Sequence, residues 1–168
     1  MIAIIQLRLR LMTMANNRLA LFLATVCGVG YFPWAPGTVA SLVALGVGYA
    51  ATVSNGFSPI WLALAAVILL IPAVLVSEIA EKRYAQSDPN SVVIDEVIGQ
   101  WLAVSVAAGD NQVHWVLAFI LFRVFDIAKP YPIRKCEHFP RGWGVVADDV
   151  AAGLCAMMIL ASVRWLLN

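Results

Sequence analysis

Apolar residues fill the chain in long runs broken by short polar turns, and that alternation predicts its elements. Leu19 to Tyr31 is apolar but, at about 13 residues, too short to span a hydrocarbon core as a helix. It runs into GVGYFPWAPGT, whose glycines and prolines break regular structure, so a buried or re-entrant segment is predicted there. From Thr38 to about Val53 runs a first span, closed by Ser54, Asn55 and Gly56. Ser58-Pro59 starts a second, which reaches about Ser77 and leaves the membrane at EIAEKRYAQSDPNS, the most polar stretch of the chain. Asp95-Glu96 opens a third helix, VIGQWLAVSVAAG; GDNQ makes the turn, and HWVLAFILFRVFDIAK forms a fourth. Both are short for a full span. After PYPIRKCEHFPRGWG, the pair Asp148-Asp149 opens the last helix, which reaches Trp165. The expected fold is all-α: a polytopic membrane helix bundle of about five embedded helices with a short N-terminal interfacial or re-entrant segment. Residues 1–18 are expected to form a cytoplasmic or interfacial segment, and 19–168 a single membrane-embedded domain.

Composition strengthens the membrane reading. The chain has 168 residues, 62% of them hydrophobic and 12% charged, with mean hydropathy +0.85. A soluble domain carries about twice that charge. No charged residue occurs between Arg18 and Glu78, room for two bilayer-spanning helices of roughly 20 residues each. The net charge of +1 says nothing about nucleic acid, and no basic run supports it as a partner. Cys27, Cys136 and Cys155 are widely spaced, without CxxC or metal-ligand spacing, and read as free thiols. A cysteine phosphatase loop needs an arginine six positions after its cysteine; after Cys136 that place holds Gly142. The N-terminus mixes Arg8, Arg10 and Arg18 with apolar residues and lacks the ordered pattern of a signal peptide. A helix on the membrane surface, or a frayed terminus, fits it.

The basic residues orient the bundle. Placing Lys82, Arg83, Lys129, Arg134, Lys135 and Arg141 in the cytoplasm also places Arg8, Arg10 and Arg18 there. The opposite turns, SNGFS and GDNQ, hold no Lys or Arg. Asp95, Glu96, Arg123, Asp126, Lys129, Arg134, Asp148 and Asp149 then converge on the cytoplasmic end.

Those residues carry the candidate chemistry. VIDEVIGQ and VADDVAAG share a layout, an acidic pair followed by valine and then glycine. Either pair alone reads equally well as acids capping a helix N-terminus, at about 0.5 to 1 kcal/mol each. Two pairs and Asp126 at one depth of a low-dielectric boundary would repel unless cations lie among them. Oxygen ligands without His or Cys suit Mg²⁺ better than zinc. Arg123 lies one turn from Asp126, and an ion pair within the helix accounts for those two alone. Lys129 and Arg134 surround the same spot with positive charge, and arginine's fork grips phosphate. Carboxylates for a metal beside cations for phosphate is the arrangement of phosphoryl chemistry, and at this depth the phosphate belongs to a lipid. In PWAPGTVAS, Gly37, Thr38 and Ser41 start a helix that offers N–H groups and hydroxyls to a phosphate, or is an ordinary Pro-Gly turn with Thr38 as cap. His114 reads as interfacial, and His138 as an acid-base candidate without a partner.

At these residues the chain resembles the phosphatidylglycerophosphatase A family of bacterial inner-membrane lipid phosphatases. The resemblance runs from Gly30 onward. It is carried by PGT at Pro36 to Thr38 with Ser41, DExxG at Asp95 to Gly99, FRxxDxxKPxPI at Phe122 to Ile133, and DDxxAG at Asp148 to Gly153. It implies Mg²⁺-dependent hydrolysis of phosphatidylglycerophosphate to phosphatidylglycerol and inorganic phosphate on the cytoplasmic leaflet. It further implies that these acidic residues and the arginine-lysine pair form the active site, but not how they divide the work; by their chemistry Asp95, Glu96, Asp126, Asp148 and Asp149 are assigned to metal and water, and Arg123, Lys129, Arg134 and Thr38 to the substrate phosphate. No DxDx[TV] run is present, so attack by metal-activated water is preferred to a phosphoenzyme. Two other readings compete. CDP-alcohol phosphotransferases carry their acids as DGxxAR, a run this chain lacks; a small transporter needs a polar path across the bilayer, and the outer halves of these helices offer little beyond Ser105, Asn111 and Gln112.

Overall fold

A computed structural model describes residues 17–167, so the expectations for the first 16 residues lie outside the described part. Residues 17–24 are helical and lead through a turn into a 3-10 turn, Val29–Tyr31. Five α-helices follow: α1 Pro36–Asn55, α2 Ile60–Tyr84, α3 Ile94–Val104, α4 Gln112–Ala128 and α5 Trp143–Leu167, with a second 3-10 turn, Ile133–His138, between α4 and α5. The described residues are all-helical, without strands.

Three of the five helices, α1, α2 and α5, are long and apolar enough to cross a membrane. Helix α3 has 11 residues and α4 has 17, which at 1.5 Å per residue rise about 16 and 25 Å, short of a core about 30 Å thick. They differ in what surrounds them. Helix α3 is buried almost all round, from Ile94 and Asp95 through Ile98 and Gln100 to Val104. Helix α4 buries Trp115, Ala118 and Phe122 and leaves Val113, Val116, Ile120, Val124 and Ile127 facing outward. The bundle is therefore built around α3, with the long helices and α4 outside it.

Two boundaries depart from the expected ones. Helix α2 runs past Ser77 to Tyr84, its last turns carrying a Lys82–Glu78 pair at 2.7 Å. Helix α5 starts at Trp143, so Asp148 and Asp149 lie in its second turn and do not open it. Capping thus does not account for that acidic pair.

The first apolar stretch is half-buried. Ala20 and Ala24 join the core with Ala73, Ala80 and Val92, while Leu19, Phe22 and Leu23 stay exposed. The Val93 amide donates to the Ala24 carbonyl at 2.9 Å, and the Tyr31 and Tyr84 hydroxyls pair at 2.9 Å. At the opposite end, the Trp115 indole donates to the Gly109 carbonyl, His114 Nδ1 accepts from the Ala108 amide, and Arg164 donates to the Val106 carbonyl. His114, in the first turn of α4, thereby ties that helix to the turn after α3.

Candidate active site

Helices α3 and α5 cross where two glycines meet. A Cβ on Gly153 would overlap the backbone of Gly99, and one on Gly99 would overlap the Phe122 ring and the Asp149 carbonyl. Only glycine at both positions lets the backbones come this close. Asp95 lies four residues before Gly99, and Asp149 four before Gly153. Each acid is thus about one turn from the crossing and on the same side of its helix as the glycine. The consequence is a tight cluster: carboxylate oxygens of Asp95, Glu96 and Asp149 all lie within 4.8 Å of one another. Gly37, in the first turn of α1, makes room for Glu96, whose carboxylate occupies the space a Cβ there would need.

This cluster is buried. Asp95, Asp148 and Asp149 are each at most 6% exposed. Glu96 Oε2, Asp148 Oδ1 and Asp149 Oδ2 are shielded from solvent with no hydrogen-bond donor. Buried carboxylate oxygens without donors are costly, and a divalent cation satisfies several at once. The acidic group therefore fits a metal ion, which Asp95, Glu96 and Asp149 could hold.

Each remaining carboxylate of the set already has a cation. Asp126 Oδ2 lies 2.6 Å from Arg123, both on α4 and both largely buried. Arg123 also donates to the Ser41 hydroxyl at 3.4 Å, and that hydroxyl in turn donates to the Gly37 carbonyl at 2.8 Å, which ties α4 to the start of α1. Asp148 Oδ2 accepts from Lys129 at 2.5 Å, and Glu137 Oε1 accepts from the same ammonium at 2.7 Å. Lys129 ends α4 in a left-handed conformation, φ 41°, its amide bonded to the Phe125 carbonyl at 2.9 Å. Pro130 forbids another helical residue there, which turns the lysine off the helix and across to α5. Burial pulls the Lys129 ammonium down, but its bonds to Asp148 and Glu137 outweigh that and hold it above the ordinary lysine range. The bond from Lys129 holds the Glu137 carboxyl below its ordinary range.

Of these acidic and basic side chains, all except Glu137 border one pocket of about 210 Å³. Thr38 and Gly37 enter from α1, Asp95 and Glu96 from α3, Arg123 and Asp126 from α4, and Asp148 and Asp149 from α5, with Lys129 at the α4 terminus. Eight of the nine residues expected from the sequence are therefore brought together. Arg134 is not on the pocket wall; it lies exposed on the second 3-10 turn, near enough to Glu137 to act on its charge. His138 is exposed beside the Arg134 carbonyl. Sequence reasoning missed Asp88 and Asn90, which complete the pocket rim, and Glu137, the second acceptor for Lys129. Asp88 and Asn90 sat in the polar stretch read as the exit of the second span from the membrane, and Glu137 in a loop dominated by positive charge.

Such a pocket sets carboxylates for a cation against a guanidinium, an ammonium and the first turn of a helix, groups that bind phosphate. The comparisons with known proteins agree with that chemistry. A protein of Bacteroides thetaiotaomicron named "Putative phosphatidylinositol-3-phosphatase" is 34% identical over 153 residues, 89% of this chain and 96% of its own length. The phosphatidylglycerophosphatase A of Escherichia coli K12 is 36% identical over 82% of this chain and 79% of its own. That of Haemophilus influenzae is 39% identical over about half of each. No solved structure matches the chain. The sequence profile of the family described as Phosphatidylglycerophosphatase A matches residues 22–164, and with that match over most of its length the chain belongs to this family.

Proposed function

We propose that the chain hydrolyses the terminal phosphate monoester of phosphatidylglycerophosphate, releasing phosphatidylglycerol and inorganic phosphate. The observation that carries this reading is the pocket in which three clustered carboxylates, Asp95, Glu96 and Asp149, the last two with unpartnered oxygens, share the wall with Arg123, Lys129 and Thr38. Residues 19–168 act as one catalytic domain. Asp95, Glu96 and Asp149 hold the metal, Mg²⁺ by its preference for all-oxygen ligands. When bound, such a cation offsets charge on the phosphoryl oxygens and acidifies water. Arg123, anchored by Asp126 and Ser41, presents its fork to the phosphate, and Thr38 adds a hydroxyl at the first turn of α1. Asp126 and Asp148 keep the two cations in place and orient the attacking water. The CDP-alcohol phosphotransferase and transporter readings give way to this one.

The charge pattern supports a cytoplasmic active face. Lys82, Arg83, Lys129, Arg134, Lys135 and Arg141 all belong to the end of the bundle that holds the pocket. With phosphatidylglycerophosphate as substrate, the membrane of this reading is the bacterial inner membrane, and the substrate enters from its cytoplasmic leaflet.

The deciding experiment measures free phosphate from purified protein in detergent with phosphatidylglycerophosphate, with and without Mg²⁺. Release that depends on Mg²⁺ is expected, and no release with the metal present sinks the assignment. A parallel arm with phosphatidylinositol 3-phosphate tests the activity named for the Bacteroides relative; faster turnover there would move the substrate to that lipid. Asp95→Asn and Asp149→Asn are expected to lower kcat by about 10²-fold or more while the protein stays folded.

A further inference from the structure

Lysine's ammonium carries three N–H donors in tetrahedral arrangement. At Lys129 two of them are taken, one by Asp148 on α5 and one by Glu137 on the 3-10 turn Ile133–His138. Acceptors on two different elements fix the rotation of the ammonium and with it the direction of the third N–H. Asp148 lies inside the pocket. Glu137 lies outside, in a neighbouring polar depression that also includes Ser87, Phe139 and Arg141 and shares Asp88 and Val145 with the pocket wall.

The ammonium is therefore drawn between an inner and an outer carboxylate. Without the outer one, Asp148 would hold the only side-chain hydrogen bond to the ammonium among the described residues, with Asp88 near enough only to act on its charge, and the ammonium would settle toward Asp148. The turn that carries Glu137 is itself anchored, since Ile133 is 2% exposed. Resting on the phosphatase reading, we propose that Glu137 is a positioning residue for phosphate recognition: it shares the Lys129 ammonium with Asp148 and so leaves the third N–H aimed at the substrate phosphate.

The test compares Glu137→Ala and Glu137→Gln in the full-length protein in detergent. Two quantities are read: the kinetics on phosphatidylglycerophosphate, and calorimetric binding of a phosphonate analogue that cannot be hydrolysed. Glu137→Ala is expected to raise KM and weaken phosphonate binding about tenfold, the worth of one charge-assisted hydrogen bond, with kcat changed by less than about threefold. Glu137→Gln keeps an oxygen acceptor and is expected to recover most of the loss. Wild-type KM and phosphonate affinity in Glu137→Ala would overturn the proposal, as would a loss confined to kcat. Thermal unfolding checks that the variants fold; should the alanine variant not fold, Glu137→Asp, one methylene short of Lys129, is read in the same way. Wild-type protein that releases no phosphate refutes the phosphatase reading instead, while the phosphonate arm still reports on Glu137.

Discussion

A methyl group on Gly99 would press on the Phe122 ring and the Asp149 carbonyl, and backbone cannot move aside as a flexible side chain does. Gly99→Ala is therefore expected to cost about 1–3 kcal/mol, read as thermal unfolding in detergent. It should also part the two acidic pairs, so that more Mg²⁺ is needed for half-maximal activity. An alanine variant with unchanged metal requirement would mean that the crossing does not set the ligand geometry. The spacing of acid and glycine was legible in DExxG and DDxxAG, but its purpose was not, because a one-dimensional pattern does not say which helices cross. The Arg123–Asp126 pair was legible too, since three residues on a helix bring two side chains together. What the chain did not disclose was the division of labour: Asp126 and Asp148 belong to cations, and the close cluster is left to Asp95, Glu96 and Asp149. Asp126→Asn should accordingly leave the Mg²⁺ requirement near that of the wild type while raising KM, because Arg123 loses its anchor.

Helices were easier to foresee than their ends. The start of α5 was misplaced because Gly142-Trp143-Gly144 has the composition of a turn. Both glycines instead allow close packing: a Cβ on Gly142 would overlap the Val74 carbonyl of α2, and one on Gly144 would crowd the carbonyls of Phe139 and Glu137. Helix α3 read as one more apolar segment among several, since hydrophobicity does not distinguish burial in lipid from burial in protein. Its shortness and its two polar ends decide the matter. At the end away from the pocket, Arg164 of α5 supplies a donor to the Val106 carbonyl just past α3. Arg164→Leu removes that donor and is expected to destabilise the protein by about 1–3 kcal/mol in thermal unfolding, with the Mg²⁺ requirement unchanged.

Alternating helix directions bring the N-termini of α1, α3 and α5 to the end where the pocket opens, together with the C-termini of α2 and α4. Three positive helix ends there reinforce Arg123 and Lys129 in drawing a dianion to a site otherwise rich in carboxylates. Vesicles supply the test at this level: a short-chain, water-soluble substrate added outside should be hydrolysed by inverted vesicles and spared by right-side-out ones. Equal rates in both would contradict the assigned orientation. The glycine crossing of α3 and α5 is also where the two backbones leave each other least room to slide, which makes it the natural pivot for a tilt of α5. Long helices adjust to bilayer thickness by tilting. A tilt of α5 by about 10° about Gly153 would sweep its far end, about 21 Å away, through about 4 Å, yet move Asp149, about 6 Å from the pivot, by only about 1 Å. A shift of about 1 Å at a carboxylate still lowers catalysis, so kcat is expected to fall in host bilayers much thinner or thicker than the native one, yet by far less than a pivot at the far end of α5 would cause.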